Sequence, residues 1–253
     1  MTNPNKDPVL ITFPPSLDSE LARFLLSHYR VEHQEQRHTF LYSFLYTLWH
    51  GYTLVFPLLY GKGMTLVGPR PISEYFDTRC EPNVALWPSQ PDLNRKAQAD
   101  WNQFNNTLAF ATAKFAYFYL LPHRDLMIEP LTQGTPLSEV NAVKRSYSIF
   151  SGLLSTALGL SQKKADESLA QIRSVFTAVD ARVSDDRKFL LGDRLTISDL
   201  AFAVAAAPVV LPTKYGGPIP SFDQMPGAVQ AVVNEMREHP AGAFALRIYG
   251  QYR

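Results

Sequence analysis

Few residues of this 253-residue chain have the type and spacing to do chemistry. Cys80 is the only cysteine, which rules out an internal disulfide and fits a reducing compartment. A redox role for its thiol is disfavoured because Cys80 lies near a predicted linker, far from the first loop of the chain. His33, His38 and His50 lack the spacing of metal ligands and have no accompanying carboxylate pattern. We therefore predict no metal site and expect these histidines in surface or packing roles.

A serine stands at the first predicted junction between a loop and a helix. The apolar run Val9–Phe13 is rich in β-forming residues and is stopped by two prolines. Beyond Ser16 the apolar residues recur at helical spacing. Ser16 is therefore a candidate N-cap of the first helix, although Asp18 and Ser19 are also suitable cap types.

The most complete local signal in the chain is a helix start at Thr196. Thr196 and Asp199 have the spacing of a capping box, and Leu195 and Leu200 can close as a hydrophobic staple around it. The residues that follow are almost all apolar as far as Leu211, so we expect the buried central helix of an α-helical domain. This helix is too short and too closely flanked by charge to span a bilayer.

The first third of the chain is predicted to mix strands and helices. A second strand is predicted within His33–Tyr42, and Phe56–Tyr60 with Met64–Val67 is typical of a β-hairpin with a glycine-bearing turn. A short helix follows the hairpin. The segment Thr39–Leu54 is too crowded with aromatic residues to divide into helix and loop. This order of elements is that of a thioredoxin-like half-domain.

The remainder of the chain is predicted to be helical. Residues 81–93 are rich in proline and poor in periodicity, so we interpret them as a linker between a domain at 1–80 and a domain at 94–253. The helices expected besides the central one are Asn94–Leu121, Pro136–Leu160, Gln162–Val183 and Gly227–Glu238. A short aromatic tail is expected to close the chain after the break at His239 and Pro240.

Composition limits the possible partners. The formal net charge is +1, which gives no electrostatic case for a nucleic acid or an anionic membrane. The first eight residues are polar and lack the apolar region of a secretory signal, and no apolar run is long enough to cross a bilayer. We therefore expect a cytoplasmic protein without a nucleic-acid or membrane partner.

Three segments of the chain resemble landmarks of the glutathione S-transferase family. Phe189–Asp199 resembles the FLxGdxxTxxD-like segment that opens the core helix of the family's C-terminal domain. Phe13–Ser16 resembles the S-P-x-S after the first strand, and Phe56–Pro57 matches the dipeptide whose proline is cis in the family. The resemblance implies an N-terminal thioredoxin-like α/β domain, an all-α C-terminal domain and a homodimer.

The resemblance also implies an activity and a site. Ser16 corresponds to the activating hydroxyl of serine-type members, which favours the thiolate of glutathione for attack on a hydrophobic electrophile. The backbone of Phe56, next to Pro57, would pair with the cysteinyl part of glutathione. In the family one edge of the long helix lines the acceptor-substrate pocket. The residues placed there by the resemblance are Phe104, Phe115 and Tyr119.

One element departs from the family's pattern. Val67–Ile72 takes the place of the E/Q-S-R-A-I element that holds the γ-glutamyl group of glutathione. Arg70 is kept, as a structural or glutathione-binding residue, but Gly68 and Pro69 replace the acidic or amide side chain and the serine hydroxyl. Losing those hydrogen bonds should cost roughly 3–6 kcal/mol of binding before compensation. That is a loss of about a hundredfold to ten-thousandfold in affinity.

Two classes of function therefore remain open. The first is a glutathione transferase-like enzyme that uses a Ser16-assisted thiolate. The alternative role for Ser16 is that it only caps the first helix. The second is a protein of the same fold that works without glutathione and binds an apolar ligand or a protein partner. Its support is the Gly68 and Pro69 replacement together with the aromatic-rich segment Phe40–Tyr52. Within the enzyme class, a different thiol cofactor is a further alternative.

Overall fold

The computed structural model describes residues 7–50, 53–185 and 187–253, and these form two units. The first unit comprises the chain up to Ala85 together with Ile128–Tyr147 and Gly216–Ile219. The second unit comprises Leu86–Met127, Ser148–Tyr215 and Pro220–Arg253. The predicted domain boundaries are a different division of the chain and stay a prediction.

A four-stranded mixed sheet forms the centre of the first unit, as expected for a thioredoxin-like domain. Its strands are β1 (Val9–Thr12), β2 (Gln34–Arg37), β3 (Leu58–Gly61) and β4 (Met64–Val67). The spatial order is β2-β1-β3-β4, with β1 parallel to β2 and antiparallel to β3, and β3 antiparallel to β4. Because β1 and β2 are parallel, the loops that follow Thr12 and Arg37 leave the same edge of the sheet.

Helices pack beside this sheet in the first unit. They are α1 (Leu17–His28), α2 (Phe40–Trp49) and α3 (Pro69–Asp77). The second strand is shorter than the segment in which it was predicted, because α2 begins directly after Thr39. The aromatic segment that the sequence pattern left undivided is therefore a helix from Phe40 to Trp49, and its residues 51 and 52 lie outside the described part of the chain.

From Pro91 onward the chain is helical, as predicted for the C-terminal domain. Its α-helices are α4 (Pro91–Trp101), α5 (Ala109–Leu120), α6 (Arg124–Thr132), α7 (Leu137–Arg145), α8 (Tyr147–Leu158), α9 (Gln162–Val183), α10 (Ile197–Val210), α11 (Gly227–Glu238) and α12 (Pro240–Tyr252). A π-helical run covers Asn102–Leu108, and a short 3-10 turn covers Phe222–Gln224. In the described parts of the chain no helix is both long and apolar enough to cross a membrane.

Several helices differ from the sequence-based expectation, among them α6, which lies where no helix was predicted, and α4, which begins within the predicted linker. The expected long helix is divided by the π-helical run between α4 and α5. The expected helix Pro136–Leu160 is two helices that meet at Ser146, which adopts a non-helical backbone conformation. The expected aromatic tail is a helix, since His239 serves as its N-cap and Pro240 occupies its first turn, where a missing N–H costs nothing.

The core of the second unit is α10, which begins at the predicted capping box. Every residue of this helix except Pro208 is buried, and it packs against α4, α5, α11 and α12. The Oγ1 atom of Thr112 donates a hydrogen bond to the carbonyl of Ala205 at 2.7 Å, which fixes α5 against α10. The buried central helix predicted from the sequence is therefore confirmed.

The carboxylate of Asp199 is the polar centre of this core. One oxygen accepts hydrogen bonds from the amide and the hydroxyl of Thr196, both at 2.7 Å. The other oxygen accepts from the amide of Leu190 at 2.7 Å, so it also holds the chain that precedes the helix. Burial raises the pKa of Asp199 to about 6 in spite of these hydrogen bonds, which favour the charged form.

Candidate functional site

Ser16 lies at the amino end of α1, directly after the loop that follows β1. Its amide donates to the carbonyl of Phe13 at 3.1 Å, and its side-chain oxygen accepts from the amide of Ser19 at 3.3 Å. Ser16 is therefore the N-cap of α1, one of the two roles considered for it. The hydroxyl is half-buried, and no acceptor for its own hydrogen is present among the described residues. That hydrogen is available for donation at the positive end of a helix dipole.

A buried arginine holds the loop that carries Ser16. The Nη1 atom of Arg23 donates to the carbonyl of Pro14 at 3.2 Å, and its Nε atom donates to Oε1 of Glu35 at 2.7 Å. The same oxygen of Glu35 accepts from the hydroxyl of Thr12 at 2.6 Å. These bonds connect the end of β1, the loop, α1 and β2, so the backbone before Ser16 has little freedom to move.

The charge of Glu35 is stabilised by this arrangement. Burial by itself would raise the pKa of Glu35, but the positive charge of Arg23, the hydrogen bond from Thr12 and the charge of Arg37 outweigh it. The net result is a pKa below the ordinary value, so Glu35 is an anion at neutral pH. The pair therefore acts as a fixed ionic connection beneath the Ser16 loop.

A second carboxylate fastens a distant segment of the first unit to this network. Glu20 is fully buried, pairs with Arg23 at 3.3 Å, and accepts the amide of Gly216 at 3.0 Å on each oxygen. The carbonyl of Gly216 accepts from Nη2 of Arg37 at 2.9 Å. The short segment at Gly216 is thereby anchored to α1 and to the end of β2.

Phe56 and Pro57 precede β3 and are joined by a cis peptide bond, as the family resemblance implied. The Phe56 ring is half-buried and lies edge-on to that of Phe13, with ring centroids 5.9 Å apart. Phe40 and Phe44 from α2 complete an aromatic cluster with these two rings. No hydrogen bond to the backbone amide or carbonyl of Phe56 is found among the described residues, so both groups are available to a ligand.

The start of α3 offers few groups to a γ-glutamyl moiety. Gly68 is the N-cap of this helix, with φ of 83°, and its amide donates to the carbonyl of Pro57 at 2.8 Å. Pro69 supplies no amide hydrogen. The Nε atom of Arg70 donates to Glu74 one helical turn later, at 2.8 Å, so its charge is balanced within α3. The structure thus shows no replacement for the missing anchor at this position of the described chain.

The predicted substrate-binding residues all lie in the second unit. Phe104 belongs to the π-helical run, is fully buried, and packs against the ring of Phe202 at 5.2 Å. Phe115 is also buried and contacts Tyr119, whose ring is half-buried, at a centroid distance of 5.1 Å. Of the three side chains, Tyr119 alone keeps appreciable exposed surface. Their role toward a substrate stays a prediction.

A histidine and a glutamate that lie 101 positions apart form a buried pair in the first unit. Nδ1 of His38 lies 2.7 Å from Oε1 of Glu139, a residue of α7. The other carboxylate oxygen accepts from the amide of Thr39 at 2.8 Å and from its hydroxyl at 3.2 Å. The ring of His38 stacks on that of Tyr46 at 3.7 Å. Sequence reasoning missed this pair because nothing in the local pattern connects the two positions.

The other ring nitrogen of His38 is an unsatisfied polar atom. Nε2 is shielded from solvent and has no hydrogen-bond partner within residues 7–50, 53–185 and 187–253. A buried polar atom left in this state costs about 1–3 kcal/mol, and such atoms in folded proteins usually have a function or a partner.

The remaining candidates of the sequence analysis make hydrogen bonds to main-chain carbonyls. The sulfur of Cys80 is half-buried and donates to the carbonyl of Asp77 at 3.5 Å. Nδ1 of His33 bonds the carbonyl of Val31, and Nδ1 of His50 bonds that of Tyr46. Over the described residues there is no group of three His, Cys, Asp or Glu side chains that could hold a metal ion.

Comparison with known proteins identifies the fold. Residues 162–229 match the family of glutathione S-transferase C-terminal domains. A glutathione S-transferase of Ceriporiopsis subvermispora in complex with glutathione is 12% identical, with all of each chain covered and a TM-score of 0.62. The beta-etherase LigF from Sphingobium sp. strain SYK-6 is 14% identical, with a TM-score of 0.59 over 96% of this chain and 99% of that one.

A third solved structure leads to the same conclusion. A glutathione S-transferase from Methylobacterium radiotolerans, in complex with glutathione sulfonate, is 13% identical, with a TM-score of 0.55 over 95% of each chain. No curated protein matches the sequence significantly. The likeness therefore confirms the predicted fold over nearly the whole chain, and the sequence match to a glutathione S-transferase C-terminal domain is confined to residues 162–229.

Proposed function

Because the chain has the glutathione S-transferase fold, we propose that it is a glutathione transferase-like enzyme acting on a hydrophobic electrophile. The observation that carries this proposal is the position of Ser16. Its hydroxyl caps α1 at the edge of the sheet, keeps a hydrogen for donation, and lies on a loop held by the buried Arg23. A hydroxyl at the positive end of a helix stabilises a nearby thiolate by hydrogen bonding and by the dipole.

In this proposal, each residue of the first unit binds a different part of glutathione. Glutathione supplies the thiol that becomes the nucleophile. Ser16 donates a hydrogen bond to its sulfur, and the free backbone groups of Phe56 pair with its cysteinyl part. The sulfur forms a bond to an electrophilic carbon, whose leaving group departs with its electron pair. Several similar solved structures, including that from Ceriporiopsis subvermispora described above, are complexes with glutathione, which supports its use here.

We propose further that Tyr119 lies at the acceptor-substrate pocket, with Phe104 and Phe115 forming the packed layer behind it. Burial of Phe104 and Phe115 suits a supporting role, and the half-buried ring of Tyr119 suits contact with an apolar ligand. Arg70 is assigned to the stability of α3, because its partner is Glu74. A detoxifying role in the cytoplasm and assembly as a homodimer complete this proposal.

A second candidate function has an observation of its own in favour. The helix α2 exposes a row of large apolar side chains, of which Trp49 is the most exposed, at 84%. The others on this helix are Leu41, Tyr42, Leu45, Tyr46 and Leu48. An exposed apolar patch of this kind is typical of a binding surface. With Gly68 and Pro69 at the γ-glutamyl position, it supports a glutathione-independent protein that binds an apolar ligand or a protein partner.

A pair of serine variants tests the enzyme proposal. Ser16 and Ser161 are both N-cap residues whose side chains accept a backbone amide, Ser161 from Lys164 at 3.2 Å. Replacing either by alanine should cost about 1 kcal/mol of stability, the usual value of a cap. We expect Ser16→Ala to lower glutathione-dependent turnover by about tenfold or more, and Ser161→Ala to leave it unchanged. Equal turnover in both variants would remove Ser16 from the mechanism.

A further inference from the structure

A cavity of about 550 Å³ lies between α12 and the segment that follows α9. Part of its lining is one face of α12, on which Ala243, Arg247 and Gln251 recur at intervals of four residues. The rest comes from Val183, at the end of α9, and from the segment that contains Lys188. Several of these side chains are exposed, so the cavity is open to solvent. Its volume is typical of a site for a small molecule.

The segment that contains Lys188 is fastened to α12 by two contacts. The carbonyl of Lys188 accepts a hydrogen bond from Nη2 of Arg247 at 2.7 Å. The next residue, Phe189, is buried, and its ring packs against that of Tyr252 at a centroid distance of 5.9 Å. These contacts join the two sides of the cavity within the second unit, so its shape is largely formed before a ligand binds.

The cavity carries positive charge that no carboxylate balances. Arg187 donates to both carboxylate oxygens of Asp185, at 2.8 and 2.6 Å, so its own charge is neutralised. The ammonium group of Lys188 has no partner among the described residues. The guanidinium of Arg247 lies 5.0 Å from the centroid of the Phe244 ring, and its bond to a main-chain carbonyl leaves its charge uncompensated. In the described part of the chain, no acidic side chain lines the cavity.

Two positive charges of different geometry in one cavity suit a phosphate monoester. This group is a dianion at neutral pH, because its second pKa is about 6, and it offers three acceptor oxygens. The remaining N–H groups of Arg247 can bind two oxygens as a planar fork, and Lys188 supplies a compact point charge. Val183, Ala243 and the half-buried ring of Tyr252 make the rest of the lining largely apolar, which suits a flat apolar body.

We propose that this cavity binds a small phosphate monoester whose body is an apolar ring. The phosphate group contacts Lys188 and Arg247, and the ring lies against Ala243 and Tyr252. Because the ligand contacts both α12 and the segment before Phe189, its binding stabilises the folded protein. The site is independent of the proposed glutathione chemistry, since all of the described residues that line it belong to the second unit.

Phenyl phosphate is the probe for this site, because it joins a dianionic phosphate to one apolar ring. Inorganic phosphate represents the charged group alone, and benzoate represents a ring with a single negative charge. Calorimetry with the full chain at about pH 7.5 and low salt measures each affinity, and the melting temperature provides a second readout. We expect a Kd of about 1 mM or below for phenyl phosphate, at least about tenfold tighter than for the other two probes.

Two variants locate the probe in the cavity. Lys188→Gln removes one charge from the lining and should weaken the binding of phenyl phosphate about tenfold or more. Lys163→Gln is the matched control, since Lys163 is 85% exposed near the start of α9, whereas the cavity lies at the end of that helix. The control should stay within about twofold of the wild type. Ala243→Phe fills the cavity without changing its charge and should abolish binding. Melting curves verify that each variant folds.

The contrary outcomes are equally specific. Equal weakening in Lys188→Gln and Lys163→Gln would mean that overall charge alone attracts the probe, and would overturn the site. Undiminished binding to Ala243→Phe would place the probe outside the cavity and overturn it as well, even if Lys188→Gln did not fold. Phenyl phosphate that binds no more tightly than inorganic phosphate overturns the assigned class of ligand. No binding of phenyl phosphate to the wild type at about 10 mM contradicts the whole proposal.

Discussion

Arg23 donates a hydrogen bond from Nε to Oε1 of Glu35 at 2.7 Å, and this contact joins α1 to β2 beneath the loop of Ser16. The arginine is almost completely buried, and its Nη1 atom also bonds the carbonyl of Pro14. Removing one member of such a pair leaves a buried charge without its partner, which is strongly destabilising. The pair therefore connects the stability of the first unit to the position of the catalytic candidate.

Replacing Glu35 by glutamine should destabilise the protein in a pH-dependent manner. The folded-state pKa of Glu35 lies below the ordinary value, so its ionised form contributes stability that is present above that value. We expect Glu35→Gln to lose about 2–3 kcal/mol near pH 7, as for hydrogen bonds to a charged group. The deficit should shrink as the pH falls through the folded-state pKa of Glu35, when the wild type loses its charge.

Urea unfolding at several pH values measures this deficit directly. Glu32→Gln is the matched control, since Glu32 is exposed just before the same strand. That variant should stay within about 0.5 kcal/mol of the wild type throughout, the usual effect of a surface substitution. A Glu35→Gln deficit that stays constant with pH would contradict the assigned charge state.

Asp199 should show the opposite pH dependence. Asp199→Asn destabilises the core helix, because an amide cannot accept all of the hydrogen bonds that converge on the carboxylate. The folded-state pKa is about 6, above the ordinary 3.8, so the folded protein takes up the proton first as the pH falls. The wild type therefore gains stability relative to the variant on acidification. The deficit should grow by up to about 3 kcal/mol between pH 7 and 4, and a deficit that shrinks would refute this.

Two glycines of α12 provide a test of packing within the second unit. A Cβ at Gly242 would lie 1.9 Å from the carbonyl oxygen of Met236, whereas a Cβ at Gly250 meets no atom within 4 Å. Gly242→Ala should therefore cost about 3 kcal/mol or more, since backbone must move. Gly250→Ala should instead stabilise the helix by about 0.5–1 kcal/mol. Thermal unfolding gives the melting temperature of each variant. Equal shifts of the two melting temperatures from that of the wild type would contradict this packing.

Local signals in the sequence are sufficient to predict much of the fold. Thr196 and Asp199 lie three residues apart, so their capping box is visible without any tertiary information. The hairpin before α3 is likewise marked by its own glycines. The missed boundaries have a common cause. Pro240 ends one helix and begins another, and a π-helical run leaves the apolar period of its neighbours nearly intact, so periodicity alone does not separate them.

The site was less accessible to sequence reasoning. Ser16, Phe56 and Pro57 stand next to recognisable strand and proline signals, so they could be proposed from short motifs. The pair of His38 and Glu139 could not, because α7 reaches the end of β2 only through tertiary packing. The network of Glu20 and Gly216 is equally non-local. Contacts between side chains about a hundred positions apart produce no periodic pattern in a single sequence, so they cannot be predicted from it.

Titration of the wild-type protein with reduced glutathione tests the central claim most directly. Calorimetry and the shift in melting temperature report binding without requiring the electrophile to be known. We expect binding in the micromolar to low millimolar range, with contacts from Ser16 and Phe56 compensating for Gly68 and Pro69. No binding at about 10 mM, from a protein that melts cooperatively, would contradict it. The exposed face of α2 would then become the leading site for an apolar ligand or a partner.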